Sequence, residues 1–170
     1  MPISQYELRN KASNYSTYKS ASFSAGQTTA FLCHSHKDEE LVKGLIVSFQ
    51  EAGISLYIDW MDSTMPEKPD KITAKRLQER IKSMNIFLFL ATDNSVVSRW
   101  CPWEIGYADA NSKSIFIVPT SQENTDFGNE YLQLYKKIDI GEEQESKKRG
   151  LAVFEPGATK GSWLDNLTLR

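Results

Sequence analysis

The residues best suited to chemistry lie in Ser98-Arg-Trp-Cys-Pro-Trp-Glu-Ile-Gly-Tyr107, where one carboxylate, Glu104, stands among aromatic side chains. Pro102 suits a first helical turn and Ser98 or Cys101 falls near the cap. The spacing therefore places Glu104 by the positive end of a helix dipole and predicts that it stays ionised near neutral pH. Trp100 and Glu104 are four residues apart, so a helix that includes Trp100 puts them on one face, with an indole walling the anion. A fixed negative charge of this kind stabilises or traps an oxocarbenium-like centre at a sugar C1. A departing pyridinium leaves as a neutral ring, so one carboxylate suffices where ordinary glycoside hydrolysis uses two. The same residues also fit a plain helix start, with Glu104 as a cap and Trp100, Trp103 and Tyr107 as core and surface aromatics. On local sequence alone that plainer reading is the stronger one.

Other constellations are thinner. His34-Ser-His36 could offer two metal ligands, but no Cys or His elsewhere completes a set, so no metal site is expected and the pair borders a ligand pocket or sits on the surface. Cys33 precedes His34 in one strand and points to the opposite face, which argues against a cysteine nucleophile. Gly-x-Ser-x-Gly, Gly-x-Gly-x-x-Gly and the P-loop pattern are all absent, which excludes a nucleophile elbow, a Rossmann dinucleotide fingerprint and a Walker-type phosphate cradle. Asp59 and Asp62 at a strand end could meet a cation or a ribose, or be solvated loop residues.

The elements that must position these groups alternate. Thr28-Thr-Ala-Phe-Leu-Cys33 reads as a buried strand that ends at the polar His34 to Asp38. Leu41, Val42, Leu45, Ile46 and Phe49 then form a helical stripe closed by Gly53. Ile54 to Asp59 predicts a second strand, and Trp60 to Asp70, with Pro66 and Pro69, a loop. Ile72, Leu77 and Ile81 predict a second helix, Ile86 to Ala91 a continuous apolar strand, and the Trp/Glu segment a third helix. Ser114 to Val118 is a further strand, closed by Pro119. Nearly uninterrupted apolar strands between helices call for a parallel sheet covered on both faces. The expected fold is a flavodoxin-like three-layer α/β/α sandwich with an open parallel sheet of about five strands. In such sheets ligands bind outside the carboxyl ends of the strands, which points to His34 to Asp38, Asp59 to Asp70, Ala91 to Trp103 and the segment after Pro119.

Residues 1–27 are polar and predict an arm or a short appended helix, leaving 28–170 as a single domain. Beyond Pro119, the stretches around Asp126 to Asn129 and Gly141 to Arg149 read as loops or exposed helix ends, Ala152 to Phe154 as a short edge strand, and Trp163, Leu164 and Leu167 as a docked last turn. A chain of 170 residues supports one core. A net charge of −2 gives no overall attraction to nucleic acid or anionic lipid. No apolar run approaches the roughly 20 residues that cross a bilayer. No secretory signal is recognisable, so the cytoplasm is the expected compartment and Cys33 and Cys101 are expected as free thiols.

In this order the segments resemble a Toll/interleukin-1 receptor (TIR) domain of the bacterial kind. Thr29-Ala-Phe-Leu-Cys-His-Ser-His-Lys-Asp-Glu39 is similar to the family's first box, and Ile54 to Asp59 with its proline-bearing sequel to its second strand and BB loop. Asn94-Ser-Val-Val-Ser-Arg-Trp-Cys-Pro-Trp-Glu104 resembles the Ser-x-Trp-Cys-x-x-Glu pattern, the most specific of the three. The resemblance covers roughly residues 28–120. It implies cleavage of the nicotinamide–ribose bond of NAD+, a substrate and not a cofactor, with Glu104 catalytic. It also implies that Trp100 walls the site, that His34, Ser35 and His36 border the nucleotide, and that Asp59 and Trp60 lead into a 60–70 loop used for self-association. Antiphage defence and a separate effector responding to the product follow from the same resemblance. The alternatives are a non-catalytic TIR adaptor, which needs no Glu104, and a nucleoside deoxyribosyltransferase-like enzyme, which the Ser-x-Trp-Cys-x-x-Glu string fits less well.

Overall fold

The computed structural model describes residues 1–18, 26–62, 70–131 and 134–167. In chain order the elements are β1 (Ile3–Ser4), α1 (Gln5–Ala12), α2 (Tyr15–Tyr18), β2 (Thr28–Cys33), α3 (Glu39–Glu51), β3 (Ile54–Tyr57), α4 (Lys71–Ser83), β4 (Ile86–Ala91) and α5 (Asp93–Val96). They continue with α6 (Trp100–Ala110), β5 (Ser114–Gln122), β6 (Thr125–Phe127), β7 (Lys136–Glu142), β8 (Arg149–Phe154) and β9 (Ser162–Trp163).

The apolar character of β4 explains the centre of the fold. Ile86, Leu88 and Leu90 join one core layer, while Phe87, Phe89 and Ala91 join the other, because successive strand residues face opposite ways. A strand covered on both faces has no polar side to show, hence the unbroken apolar run. The first layer holds Leu41, Val42, Leu45 and Phe49 of α3 with Ile3 and Leu8. The second holds Leu77 and Ile81 of α4 with Cys101, Ile105 and Ala108 of α6.

The sheet runs β3-β2-β4-β5-β7-β8-β9, with β1 and β6 both on β5. From β3 to β7 every pairing is parallel, which is the expected five-stranded α/β/α core. The whole sheet has nine strands, because β8 and β9 add antiparallel strands at one side and β1 and β6 pair with the far end of β5. Ala152 to Phe154 is thus the end of a longer strand that β9 flanks. Pro119 does not close β5, which continues to Gln122; Pro119 lies opposite Ala91 in the register, and the Thr120 hydroxyl donates to the Ala91 carbonyl at 2.6 Å. The stretches expected as loops around Asp126 and Gly141 supply β6 and the end of β7, leaving residues 143–148 to connect β7 and β8.

Ile72 is 57% exposed, and the buried residues of α4 are Thr73, Leu77 and Ile81. The reason is the cap: Asp70 accepts from the Ile72 and Thr73 backbone N–H groups at 2.8 and 2.9 Å, which turns Thr73 inward. The N-terminal segment is not a loose arm, since Ile3, Gln5 and Leu8 are buried and α1 lies on α3. At the crossing, a side chain on Gly44 would put its Cβ 1.9 Å from the Leu8 carbonyl oxygen. Gly53 stops α3 with φ of +79°, in the left-handed region that favours glycine.

Candidate active site

Three segments from the carboxyl ends of β2, β3 and β4, together with α6, build the site. Ser98 starts α6, its hydroxyl accepting from the backbone N–H of Trp100 and Cys101 at 3.3 Å each. With the helix beginning at Trp100, Glu104 is its fifth residue and lies beyond the first turn. Cys101, Glu104, Ile105 and Ala108 are its buried face, the three- and four-residue spacing of a helix turned toward the sheet.

Glu104 is 5% exposed, and burial raises its pKa well above the ordinary carboxyl value, against a partly offsetting hydrogen bond from Cys33. The expectation that a helix dipole keeps Glu104 ionised is therefore corrected: the dipole acts mainly within the first turn, and removal from water dominates. Nearby Cys101 and Asp59 raise the pKa further. Cys33 and Cys101 are both free and buried, and the Cys33 thiol lies 3.9 Å from the Cys101 carbonyl oxygen.

The loops after β2 and β3 form a second, bonded set. His34 is buried, with Nδ1 3.0 Å from the Leu32 carbonyl oxygen and Nε2 2.9 Å from the Trp60 indole nitrogen. A carbonyl can only accept and an indole N–H can only donate. The imidazole must then be neutral with its proton on Nδ1, in keeping with a pKa that burial lowers. Asp59 sits between the rings, 3.6 Å from His34 Nε2 and 3.3 Å from His36 Nε2. His36 is solvent-exposed, and its hydrogen bond to Asp59 raises its pKa. Burial works against the Asp59 charge, but His36, His34 and the Trp60 backbone N–H outweigh it and hold the carboxyl below its usual range.

Of the residues singled out from sequence, His34, His36, Asp59 and Trp60 are thus brought together, with Asp59 close enough to bias Glu104. Ser35 instead caps the turn after β2, accepting from the Lys37 N–H at 3.4 Å. Trp100 packs edge-on against Trp103, ring centroids 5.5 Å apart, and Trp103 stacks on Tyr107 at 5.9 Å. Of the 60–70 loop, residues 63–69 lie outside the described residues; its two ends are fixed by the Asp70 cap and by Asp62, which accepts from Tyr57 at 2.7 Å and from Arg80 at 2.9 and 3.1 Å.

Sequence reasoning missed Asp38. Its buried carboxylate accepts from the Thr92 hydroxyl and the Asn94 amide, both at 2.6 Å, and so ties the loop after β2 to the loop after β4. An acid shortly after a strand end was the available signal, but its burial and its partners, 54 and 56 residues away, are set by the fold. A cavity of about 330 Å³ opens beside it between Arg9, Lys37, Asn94 and Gln122. Another, of about 470 Å³, lies far from Glu104 between α1, the end of α3 and β8. The charges on its rim are mutually paired, as Lys11–Glu51, Arg149–Glu7 and Lys148–Asp165.

A parallel α/β/α sheet with a buried carboxyl at its carboxyl edge, beside loops from neighbouring strands, has the architecture of the flavodoxin-like class, whose members bind ligands at that edge. Residues 30–152 match the TIR domain family model, and the chain belongs to that family. It is 35% identical over 116 residues to a probable 3' cyclic ADP-D-ribose synthase, ThsB', of Bacillus cereus (strain MSX-D12), covering 65% of this chain and 60% of that protein. It is 33% identical over 96 residues to a putative cyclic ADP-D-ribose synthase, TIR2, of Cytobacillus dafuensis, covering 55% of this chain and 25% of that protein. The chain thus spans less than two thirds of the length of either relative. Among solved structures, a Clostridium botulinum CMP N-glycosidase, BcmB, superposes with a TM-score of 0.40 at 23% identity over 58% of this chain and 74% of that one. No described helix is long and apolar enough to cross a membrane.

Proposed function

We propose that this chain cleaves the nicotinamide–ribose bond of NAD+, releasing nicotinamide and an ADP-ribose product, cyclised, hydrolysed or conjugated, in bacterial antiphage immunity. The observation that carries the reading is Glu104, a buried carboxyl on the sheet-facing side of α6 at the ligand-binding edge of a TIR domain. Its relatives' names, both cyclic ADP-D-ribose synthases, support the same chemistry.

The raised pKa of Glu104 fits this task. A cationic nicotinamide ring arriving beside a buried carboxyl favours its ionised form, since an opposite charge nearby lowers a carboxyl pKa. The carboxylate would thus form as the substrate binds, and would stabilise or capture the ribosyl cation as the ring departs neutral. Neutral His34, held by Leu32 and Trp60, and the Asp59–His36 pair border the ribose and phosphates in this reading, with Ser35 beside them and Trp100 at the rim. Self-association through the 60–70 segment, an intracellular setting and a separate effector that senses the product belong to the same proposal.

Purified wild type and Glu104→Gln, incubated with NAD+ with and without a crowding agent and followed by mass spectrometry, test it. Nicotinamide release by the wild type and its loss in the variant are expected, and the presence or absence of one added water in the product separates hydrolysis from cyclisation. Equal release by both proteins would remove Glu104 from the chemistry. No release under any condition, with self-association intact, would favour a scaffold.

A further inference from the structure

Both ring nitrogens of His34 are already committed within the protein. The residue is 7% exposed; its Nδ1 proton goes to the Leu32 carbonyl oxygen at 3.0 Å, and its Nε2 lone pair takes the Trp60 indole N–H at 2.9 Å. Asp59 does not compete for Nε2, although one carboxylate oxygen stands 3.6 Å away, because two acceptors cannot bond each other. That oxygen accepts the Trp60 backbone N–H at 2.8 Å instead. Trp60 is therefore held twice, by backbone and by ring, at the carboxyl edge of the sheet. The imidazole meets the indole edge-on, at 75° with ring centroids 6.5 Å apart, so it fixes the ring without covering a face. The indole packs on the first core layer and the residue is only half-buried, which leaves aromatic surface open beside Asp59 and the exposed His36.

We propose, resting on the NAD+-cleaving reading given above, that His34 is a positioning residue and Trp60 the residue it positions: the imidazole fixes the indole as a wall on which a planar heteroaromatic ring of the substrate stacks. His34 itself then touches no ligand. A neutral imidazole suits the task because it donates from one ring nitrogen and accepts at the other, and burial favours that neutral form. The gain lies in preorganisation. An indole free to rotate loses rotamer freedom each time a ligand settles on it, whereas one already bonded through its N–H has little left to lose. NAD+ carries two flat rings able to stack, adenine and nicotinamide, and the test separates them.

The experiment is proton–nitrogen NMR of the Trp60 indole, assigned by its absence in Trp60→Phe, in wild type, His34→Phe and His34→Gln. Each protein is titrated with ADP-ribose, which carries adenine alone, and with nicotinamide mononucleotide, which carries nicotinamide alone. Without ligand, the indole N–H should shift and exchange faster with water in His34→Phe and stay near wild type in His34→Gln, whose amide oxygen accepts in place of Nε2. In the wild type one probe should perturb the Trp60 ring and so identify the stacked ring. Its Kd should rise about tenfold in His34→Phe and recover in His34→Gln, and the KM for NAD+ should follow with kcat little changed. An indole signal unmoved by His34→Phe would overturn the proposal, as would affinity lost equally in both variants, which would mean that His34 touches the ligand. If His34→Phe does not fold, the nitrogen–nitrogen coupling across the Trp60–His34 bond of the wild type decides: it should persist at saturating probe, and its disappearance would overturn the assignment. A probe that perturbs Trp60 in a wild type releasing no nicotinamide refutes the proposed activity alone, whereas release with neither probe reaching Trp60 refutes this assignment alone.

Discussion

Replacing Asp38 by Ala tests whether two loops of the site are held together by one buried acid. The change removes the acceptor of two short bonds, from Thr92 and from Asn94, both at 2.6 Å. Thr92 is fully buried, and its oxygen already accepts from the Ser95 backbone N–H at 3.0 Å, so its hydroxyl has no second orientation and no water to turn to. Leaving that donor unsatisfied costs about 2 kcal/mol. Asn94 is only half-buried and regains water, so its loss is smaller, about 1 kcal/mol. The sum, about 3 kcal/mol, should lower the unfolding midpoint in urea with the slope unchanged. A double-mutant cycle with Thr92→Val separates the two bonds: removing donor and acceptor together should recover about 1–2 kcal/mol of coupling. A total below about 1 kcal/mol, or additive single and double changes, would refute the view that Asp38 clamps the loops.

Further outcomes follow from the same geometry. In an NMR titration His34 should titrate below, and His36 above, the ordinary imidazole value of about 6.5, since burial lowers the first and the Asp59 hydrogen bond raises the second; the reverse order would contradict the geometry. The signs for stability are opposite. His34 resists protonation in the folded state, so acidification below about 6.5 erodes stability, whereas the His36–Asp59 contribution is present below that value and is lost as pH rises through the folded His36 pKa. His36→Asn should therefore lower the urea midpoint at pH 6 and leave it nearly unchanged at pH 8.5. Trp60→Phe removes the indole donor to His34 Nε2 and should cost about 1 kcal/mol while moving the His34 midpoint upward, because Asp59 at 3.6 Å is then the remaining charge beside that nitrogen. Arg80→Met, which takes two bonds from the largely buried Asp62 carboxylate, should cost about 1–2 kcal/mol in a urea titration; no change would mean that Arg80 does not help to fix that end of the loop.

Much of the parallel core was legible because its signals are local. The continuous run of β4 and the stripe of α3 record which faces are covered, and the period carries that information within a dozen residues. The fifth parallel strand was not legible: β7 reads Lys136-Lys-Ile-Asp-Ile-Gly-Glu142, with Asp139 fully buried. Only its partners explain the acid, namely Lys137 at 3.2 Å and the Met1 ammonium at 3.0 Å, one of them at the far end of the chain. Glu104 was recognisable as a position, yet its protonation state was not, since the dipole is a feature of its own helix whereas desolvation is set by the strands against which that helix packs, β2, β4 and β5. Cys33 was dismissed as a nucleophile on strand geometry, and the same geometry buries it in the layer of Cys101, Ile105 and Ala108, its thiol 3.9 Å from the Cys101 carbonyl oxygen.

Gly44 has a consequence outside this molecule. With the Leu8 carbonyl oxygen 1.9 Å from where a Cβ would stand, α1 can lie at this depth on α3 only where that helix position is bare. A related chain with any side chain there must seat its leading helix farther out, tilt it, or do without it. One residue in the middle of α3 thus serves as a readable marker of whether a relative builds its first layer from one helix or from two.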